Sequence, residues 1–323
     1  MWNFGYFKTI IAFAMLFCFL HSCQIKTDGE LQYHKPQPEK GYNFPYLIFL
    51  PTNMPTDKEL TMIVAPNNTG QVTDEFKKHI EKARRQATKP FYPGNYIASK
   101  LNLPLLVPIF PRSRKESRVY THSLDRDVML KKASPLKRID LQLLAMHENA
   151  LDTLRKRGFN LKEKFLMVGF SASGSFANRF SLIHPGKLLA VAAGGLNGIL
   201  MLPEDTLRNQ GLVYPLGTAD FDSLFNKPFN KQAFKSLPQF LYMGELDDND
   251  AAPYSDAYSE KERQLIFKLL GKKMLPDRWN RCRGIYKSNG VNAVIRTYKN
   301  TAHENPEAVK NEILKFFRKT ITD

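Results

Sequence analysis

The chain has 323 residues, of which 43% are hydrophobic and 24% charged, and its formal net charge is +16. This composition excludes a disordered or low-complexity chain, and the length allows one large α/β domain or two small ones. No RNP-like, zinc-finger or helix-turn-helix pattern accompanies the basic residues. We therefore expect solvated basic helix faces and no nucleic-acid partner.

Residues 1–22 have the features of a secretory signal. Lys8 precedes an uncharged run of twelve residues, "TIIAFAMLFCFL", which is too short for a comfortable transmembrane helix. The following "LHSC" ends at Cys23 and resembles the lipobox of bacterial lipoproteins, in which the cysteine becomes the lipidated first residue. The resemblance implies a membrane-anchored lipoprotein of the bacterial cell envelope. The alternative is a free thiol at Cys23 beside an ordinary cleavage site.

The three cysteines predict a domain without disulfide bonds. Cys18 lies in the signal and Cys23 at its end, so Cys282 has no intrachain partner, and we expect it to be a small buried side chain. Residues 23–42 are polar and contain two prolines, which predicts a tether to the anchor. The folded domain is expected over residues 43–323.

Apolar strand-like runs then alternate with amphipathic or helix-forming segments. The predicted strands cover residues 46–51, 60–66, 103–111, 164–170, 188–195, 239–244 and 292–298, and the main predicted helices cover 74–87, 135–158, 174–185 and 306–321. Continuously apolar strands separated by helices indicate an α/β fold with a mostly parallel central sheet and helices on both faces. Residues 199–236 interrupt the alternation, and we predict a cap-like insertion there.

The stretch "KFLMVGFSASGSFANRF" places Ser171 between a predicted strand and a predicted helix. Gly169-Phe170-Ser171-Ala172-Ser173 is a variant of G-x-S-x-G, in which a sharp turn exposes the serine hydroxyl above the sheet. Small residues two positions before and after the serine let that turn close. The last position is a serine here, and the adjacent Gly174 keeps the start of the helix narrow. The pattern predicts a nucleophile; the alternative is a plain turn residue.

A nucleophilic serine needs a base, and the chain order serine, acid, histidine selects among the seven histidines. His303 follows the predicted strand at 292–298 after a short loop and precedes the last helix, so its side chain is expected above the sheet. His184 also follows Ser171 but lies at the far end of the same predicted helix. We therefore predict His303 as the base, against the alternative of an exposed loop histidine.

The acid is expected after the strand at 239–244, in "GELDDND". Asp247 lies just beyond the strand, where a carboxylate can orient the imidazole and stabilise its cation. Asp248 and Asp250 are alternatives. The acidic run is also compatible with a solvated loop or a calcium site, although it lacks the full EF-hand pattern.

Stabilising the negative oxygen that forms when a serine attacks a carbonyl needs two amide hydrogens. Ala172, directly after the serine, is one predicted donor. The second is expected in the loop after the strand at 60–66, where the sequence "PNNTG" leaves Asn67 and Asn68 as candidates.

The motifs "VAPNNTG", "GFSASGSF", "GELDDND" and "NTAHE", in this order, resemble the α/β-hydrolase superfamily, and are similar to secreted esterases of the polyhydroxybutyrate-depolymerase and feruloyl-esterase kind. The resemblance covers about residues 43 to 320. It implies that Ser171, Asp247 and His303 form a catalytic triad, that the substrate is an ester (a small molecule, a polyester or an acylated polysaccharide), and that no cofactor or metal is needed. The "HGGG"-type oxyanion motif of the superfamily is absent.

Two other functions remain open from the sequence. One is a peptidase of the same fold, and the other is a catalytically inactive, hydrolase-like binding lipoprotein. The polar segment 119–127, "VYTHSLDRD", has no assigned mechanism, and a structural hydrogen-bond cluster near the pocket is the expectation for it.

Overall fold

The computed structural model describes residues 28–322. The expectations for the signal and for Cys23 therefore lie outside the described residues. The strands are β1 (Gly29–His34), β2 (Tyr46–Pro51), β3 (Ile63–Val64), β4 (Leu105–Pro108), β5 (Phe165–Phe170), β6 (Leu188–Gly194), β7 (Thr206–Leu207), β8 (Gln210–Gly211), β9 (Gln239–Gly244) and β10 (Ala293–Tyr298). The α-helices are α1 (Phe76–Thr88), α2 (Pro93–Leu101), α3 (Arg126–Met129), α4 (Ile139–Lys156), α5 (Ala172–Ile183), α6 (Phe221–Phe225), α7 (Lys231–Ser236), α8 (Glu260–Leu269), α9 (Trp279–Ser288) and α10 (Glu307–Thr322). Short 3-10 turns cover Pro38–Lys40, Thr121–Ser123 and Pro185–Lys187, and an irregular turn with an extended residue at Leu275 covers Met274–Arg278.

Eight strands form one sheet in the order β1-β2-β4-β3-β5-β6-β9-β10. Within this sheet, the pairs β1–β2 and β2–β4 are antiparallel and the remaining pairs are parallel. All six residues of β2 and all six of β9 are buried, as expected for strands that helices cover on both faces. The predicted mostly parallel α/β sheet is confirmed. Because β3, β5, β6, β9 and β10 run in one direction, the segments that follow them meet at one edge.

The predicted tether is wrong over residues 29–34. These residues form β1, which pairs along its whole length with β2, from Gly29 opposite Pro51 to His34 opposite Tyr46. The His34 ring also stacks on the Tyr46 ring at a centroid distance of 4.6 Å. As an edge strand, β1 is only partly buried, so it needs no continuous apolar run. The folded domain therefore begins before residue 43.

The predicted cap at residues 199–236 does not cover the nucleophile. No residue of this segment lines either of the two cavities that Ser171 lines in the described chain. Lys227 Nζ instead donates a hydrogen bond to Ile183 O at the C-terminal end of α5, opposite the Ser171 end. The aromatic side chains of Phe221 and Phe225 are buried against each other. The insertion thus packs on the body of the domain.

No helix of residues 28–322 combines the length and the apolar character required to span a bilayer. Cys282 is a buried free thiol, as the sequence predicts, and burial raises its pKa to about 11.

Candidate active site

Ser171 lies at the sharp turn between β5 and α5. Its backbone has φ +62° and ψ −130°, a combination that non-glycine residues avoid and that costs about 1–3 kcal/mol. The Ser171 N–H donates to Gly194 O of the neighbouring strand β6 at 2.9 Å. The hydrogen bond holds the strained residue against the sheet, at the edge where the parallel strands end.

Two glycines make the turn possible. A Cβ on Gly169 would lie 2.0 Å from Ser173 O, and a Cβ on Gly174 would lie 2.2 Å from Gly194 O. Both distances are too short for any side chain, so β5, β6 and α5 approach closely only because these positions are glycine. Ser173 occupies the position where the usual pattern has a second glycine, and its hydroxyl donates to Phe170 O at 2.8 Å. This hydrogen bond joins the start of α5 to the end of β5 and stabilises the turn between them.

Asp247 and His303 are in direct contact. The Nδ1 atom of His303 lies 2.9 Å from Asp247 Oδ2 and 3.0 Å from Oδ1. The Asp247 side chain is 1% exposed and the His303 side chain 22% exposed. A buried carboxylate therefore accepts the Nδ1 hydrogen and fixes the ring, while part of the ring remains exposed.

The contact depends on close packing between the loops after β9 and β10. Leu246 N donates to Thr301 O at 2.9 Å. A Cβ on Gly244 would lie 2.2 Å from Thr301 O and 2.4 Å from Ala302 O. The glycine that begins "GELDDND" thus lets the histidine loop pass close to the end of β9.

The structure separates the three candidate acids. Asp250 forms a salt bridge with buried Arg278 at 2.5 Å, and the side chain of Asp248 is at the surface. Of the three, Asp247 is the one that contacts His303.

Ser171 and His303 are neighbours. An added Cβ on Gly195 would lie 2.9 Å from His303 Cε1 and 3.1 Å from Ser171 N, so these two atoms are at most about 6 Å apart. Gly195 has φ +65° and follows β6, where a side chain would separate the two residues. The Phe170 ring also packs on the imidazole, with centroids 4.8 Å apart.

Asn249 was not among the sequence-predicted site residues. Its Nδ2 lies 3.1 Å from His303 Nε2. An amide nitrogen only donates, so this contact requires Nε2 to be the unprotonated acceptor while Nδ1–H donates to Asp247. This is the tautomer that can accept a proton at Nε2. Asn249 therefore occupies the lone pair that a serine hydroxyl would use.

The predicted oxyanion donors have different surroundings. Ala172 is the first residue of α5, where the early amide hydrogens lack helical acceptors. Asn68 lines the same cavity as Ser171, but its N–H donates to Gln86 Oε1 at 3.1 Å. Asn67 is buried, and its side-chain amide bonds to both the N–H and the C=O of Phe110. The Asn67 side chain thus fixes the loop after β3 to the end of β4.

The segment 119–127 forms a hydrogen-bond cluster beside the site, as expected. His122 Nε2 lies 2.8 Å from Phe110 O and 3.2 Å from Asn67 Nδ2. Asp125 accepts from Tyr120 N and Val128 N, both at 2.9 Å. Burial lowers the pKa of His122 to about 3, so this imidazole stays neutral in the cluster.

Two cavities open beside Ser171. The large cavity, of about 440 Å³, is lined by residues that include Ala65, Asn68, Phe91, Tyr92, Ser171 and His303. The small cavity, of about 40 Å³, is lined by residues that include Tyr120, Ser123, Ser171, Ala172, Ser175 and Arg179. Within residues 28–322, no three His, Cys, Asp or Glu side chains group closely enough to hold a metal ion.

No family model matches the chain, and no curated protein matches its sequence. Solved structures do match. Poly(aspartic acid) hydrolase-1 from Sphingomonas sp. KT-1 has a TM-score of 0.56 at 14% identity, and the match covers 90% of this chain and 98% of that one. An S-formylglutathione hydrolase from Agrobacterium tumefaciens has a TM-score of 0.52 at 11% identity, covering 91% and 95%. The strand order, the serine at the turn after β5 and these matches define an α/β-hydrolase fold.

Proposed function

We propose that this chain is a serine hydrolase that cleaves carboxylic esters through an acyl-enzyme. The observation that carries the proposal is the Asp247–His303 contact beside a serine held at φ +62°. The named structural neighbours are hydrolases, which agrees with this reading. The proposed nucleophile, base and acid are Ser171, His303 and Asp247.

The proposed reaction has two steps. In the first, the Ser171 oxygen bonds to the ester carbonyl carbon while its proton passes to His303 Nε2, and that proton then goes to the departing alcohol oxygen. In the second, His303 takes a proton from water, whose oxygen attacks the acyl carbon, and returns the proton to Ser171. Asp247 stabilises the imidazolium in both steps.

Amide hydrogens at the start of α5 stabilise the negative oxygen of each tetrahedral intermediate. We propose Ala172 N as one donor, and each such donor contributes about 3 kcal/mol in comparable sites. The loop of Asn67 and Asn68 is the proposed source of the second donor. Of the two, Asn68 lines the large cavity beside Ser171, with its N–H donating to Gln86, and Asn67 lines neither cavity.

Hydrolysis of p-nitrophenyl butyrate by the purified domain tests the proposal. The wild-type chain should turn the ester over and Ser171→Ala should lose the activity, while Ser181→Ala, near the far end of the same helix, should keep it. A Ser171→Ala chain as active as wild type would refute the proposal. A peptide p-nitroanilide that is cleaved faster than the ester would favour a peptidase.

We further propose that the protein is exported and lipid-anchored through Cys23 in the bacterial cell envelope. The support is the order of Lys8, the apolar run and "LHSC". Expression in a bacterial host with radiolabelled palmitate should label the wild-type chain and Cys18→Ser but not Cys23→Ser. Label retained on Cys23→Ser would contradict this proposal.

A further inference from the structure

One face of α5 connects the nucleophile to a buried arginine. Ser171, Ser175 and Arg179 follow each other at intervals of four residues, and all three line the small cavity. Arg179 is eight residues from Ser171, about 12 Å along the helix axis at 1.5 Å per residue. Long helical side chains point back toward the N-terminus, so the guanidinium extends toward the serine.

Arg179 is a buried cation without an ion pair in the described chain. It is 5% exposed, and no carboxylate of residues 28–322 lies within 4.0 Å of it. Two other buried arginines are paired, Arg112 with Asp256 at 2.7 Å and Arg278 with Asp250 at 2.5 Å. A buried charge without a counter-ion is unfavourable, so Arg179 is the exception that requires an explanation.

The hydrogen bonds of Arg179 leave donors unused. Nη1 donates to Ser123 O at 2.9 Å and to Ser123 Oγ at 3.3 Å, and Nη2 donates to the Tyr258 hydroxyl at 2.9 Å. A guanidinium has five N–H groups. Nε–H and one Nη2–H therefore have no acceptor in the described chain. Two free N–H groups on one planar cation are suited to the two oxygens of a carboxylate.

Asp125 is a buried carboxyl near Arg179, but the two side chains do not form an ion pair within 4.0 Å. Asp125 belongs to the 119–127 cluster and accepts hydrogen bonds from backbone amides at Tyr120 and Val128. Burial raises the pKa of Asp125 to about 7, although nearby Arg179 acts in the opposite direction. Burial lowers the pKa of Arg179, and nearby groups that include Asp125 and Glu262 outweigh burial and raise it. Neither carboxylate lies within 4.0 Å of the guanidinium, and Arg179 is the charged residue that lines the small cavity.

We propose that the small cavity binds a carboxylate carried by the acyl part of the substrate, so that the preferred esters are half-esters of short dicarboxylic acids. The proposal rests on the proposed serine-hydrolase function. His303 protonates the departing alcohol and lines only the large cavity, so the alcohol leaves on that side and the acyl group points to the small cavity. A volume of about 40 Å³ limits the acyl group to a short chain. The amide hydrogens at the start of α5 add to the attraction for an anion.

Chain-matched esters test the proposal. Monomethyl succinate and monomethyl glutarate carry the carboxylate, and methyl butyrate and methyl valerate are their neutral counterparts. The wild-type chain should show a kcat/KM for the charged esters about 10- to 100-fold higher, as expected for hydrogen bonds to a charged group in a buried site. Arg179→Gln should reduce this ratio to about 1, and Arg179→Lys should keep part of it.

The ratio is measured within one variant, so partial unfolding of Arg179→Gln does not change it. Arg155→Gln, an arginine outside both cavities, should keep the wild-type ratio. Equal kcat/KM for charged and neutral esters in the wild-type chain, or an unchanged ratio in Arg179→Gln, would overturn the proposal.

A binding measurement separates the subsite from the proposed catalysis. The Ser171→Ala variant retains Arg179. Calorimetry should detect the binding of monomethyl glutarate to this variant, and should not detect the binding of methyl valerate. Absence of monomethyl glutarate binding would refute the subsite even if ester hydrolysis is established. Binding by a chain whose wild-type form hydrolyses no ester would support the subsite and refute the proposed function alone.

Discussion

Gly195→Ala should damage the site more than it damages the fold. The added Cβ would lie 2.9 Å from His303 Cε1 and 3.1 Å from both Phe170 Cε2 and Ser171 N, whereas ordinary contacts are 3.4–4 Å. The imidazole must therefore shift by several tenths of an ångström away from the serine. A 1 Å misplacement costs about 100-fold in rate, so we expect kcat/KM to fall by about tenfold or more.

The same substitution also strains the backbone, because Gly195 has φ +65°. A side chain in this left-handed region costs about 1–2 kcal/mol of folding free energy. Gly290→Ala is the matched control, since Gly290 has φ +62° and no atom within 4 Å of an added Cβ. Both variants should lose a similar amount of folding free energy through backbone strain, and only Gly195→Ala should also lose activity.

The assay is p-nitrophenyl butyrate hydrolysis together with thermal unfolding of the wild-type chain and both variants. Gly290→Ala should retain wild-type kcat/KM within about twofold, because its effect is confined to left-handed backbone strain. A Gly195→Ala chain that is folded and as active as Gly290→Ala would refute the inferred closeness of Ser171 and His303.

Three further outcomes follow from the same contacts. Asn249→Ala should raise kcat/KM by up to about fivefold, because the amide bond of about 1 kcal/mol that occupies His303 Nε2 is removed. Gly174→Ala should lower the free energy of unfolding by about 3 kcal/mol or more, because its Cβ would meet Gly194 O at 2.2 Å. Burial would raise the pKa of Asp140, but hydrogen bonds from its partners outweigh burial and lower it to about 2, below the ordinary 3.8. The ionised form of Asp140 therefore contributes on the order of 2 kcal/mol to the free energy of unfolding, present above pH 4 and lost as pH falls toward 2. Urea unfolding should show Asp140→Asn destabilised at pH 7 and much less destabilised at pH 2.

Matched variants control these measurements. Asp248→Ala, beside Asn249, should leave kcat/KM unchanged. Gly186→Ala, where an added Cβ meets nothing within 4 Å, should leave the free energy of unfolding unchanged. Asp152→Asn, on the exposed face of the same helix as Asp140, should show little destabilisation. Slower hydrolysis by Asn249→Ala would contradict the inhibitory contact of Asn249 with His303. A Gly174→Ala chain as stable as wild type would contradict the close approach of Gly174 to Gly194. An equal loss of stability in Asp140→Asn at pH 7 and pH 2 would contradict the stabilising charge of Asp140.

The parts of the site that follow parallel strands could be predicted from the sequence. Ser171, Asp247 and His303 each come after a recognisable apolar strand, and parallel strands end at one edge of the sheet. The order of the motifs along the chain therefore indicated which side chains lie near one another. Geometry then distinguishes Asp247 from Asp248, which spacing alone left open.

The rest depends on contacts that have no local pattern. β1 is a partly buried edge strand of polar residues, and it is recognisable only by its pairing with β2. Asn249 reaches His303 because its own N–H turns back to Asp247 Oδ1 at 3.0 Å, which is a loop conformation. The four-residue spacing from Ser171 and Ser175 indicates the position of Arg179 on the helix. That Arg179 forms no ion pair with residues 28–322 is visible only in the folded chain.

Peptide-resolved mass spectrometry after reaction with a fluorophosphonate identifies the nucleophilic serine of this protein. We expect one adduct, on Ser171, which forms in the wild-type chain and at least about 100-fold more slowly in His303→Ala, because the base that activates the hydroxyl is missing. An adduct on another serine, or equal rates in the two chains, would contradict this expectation.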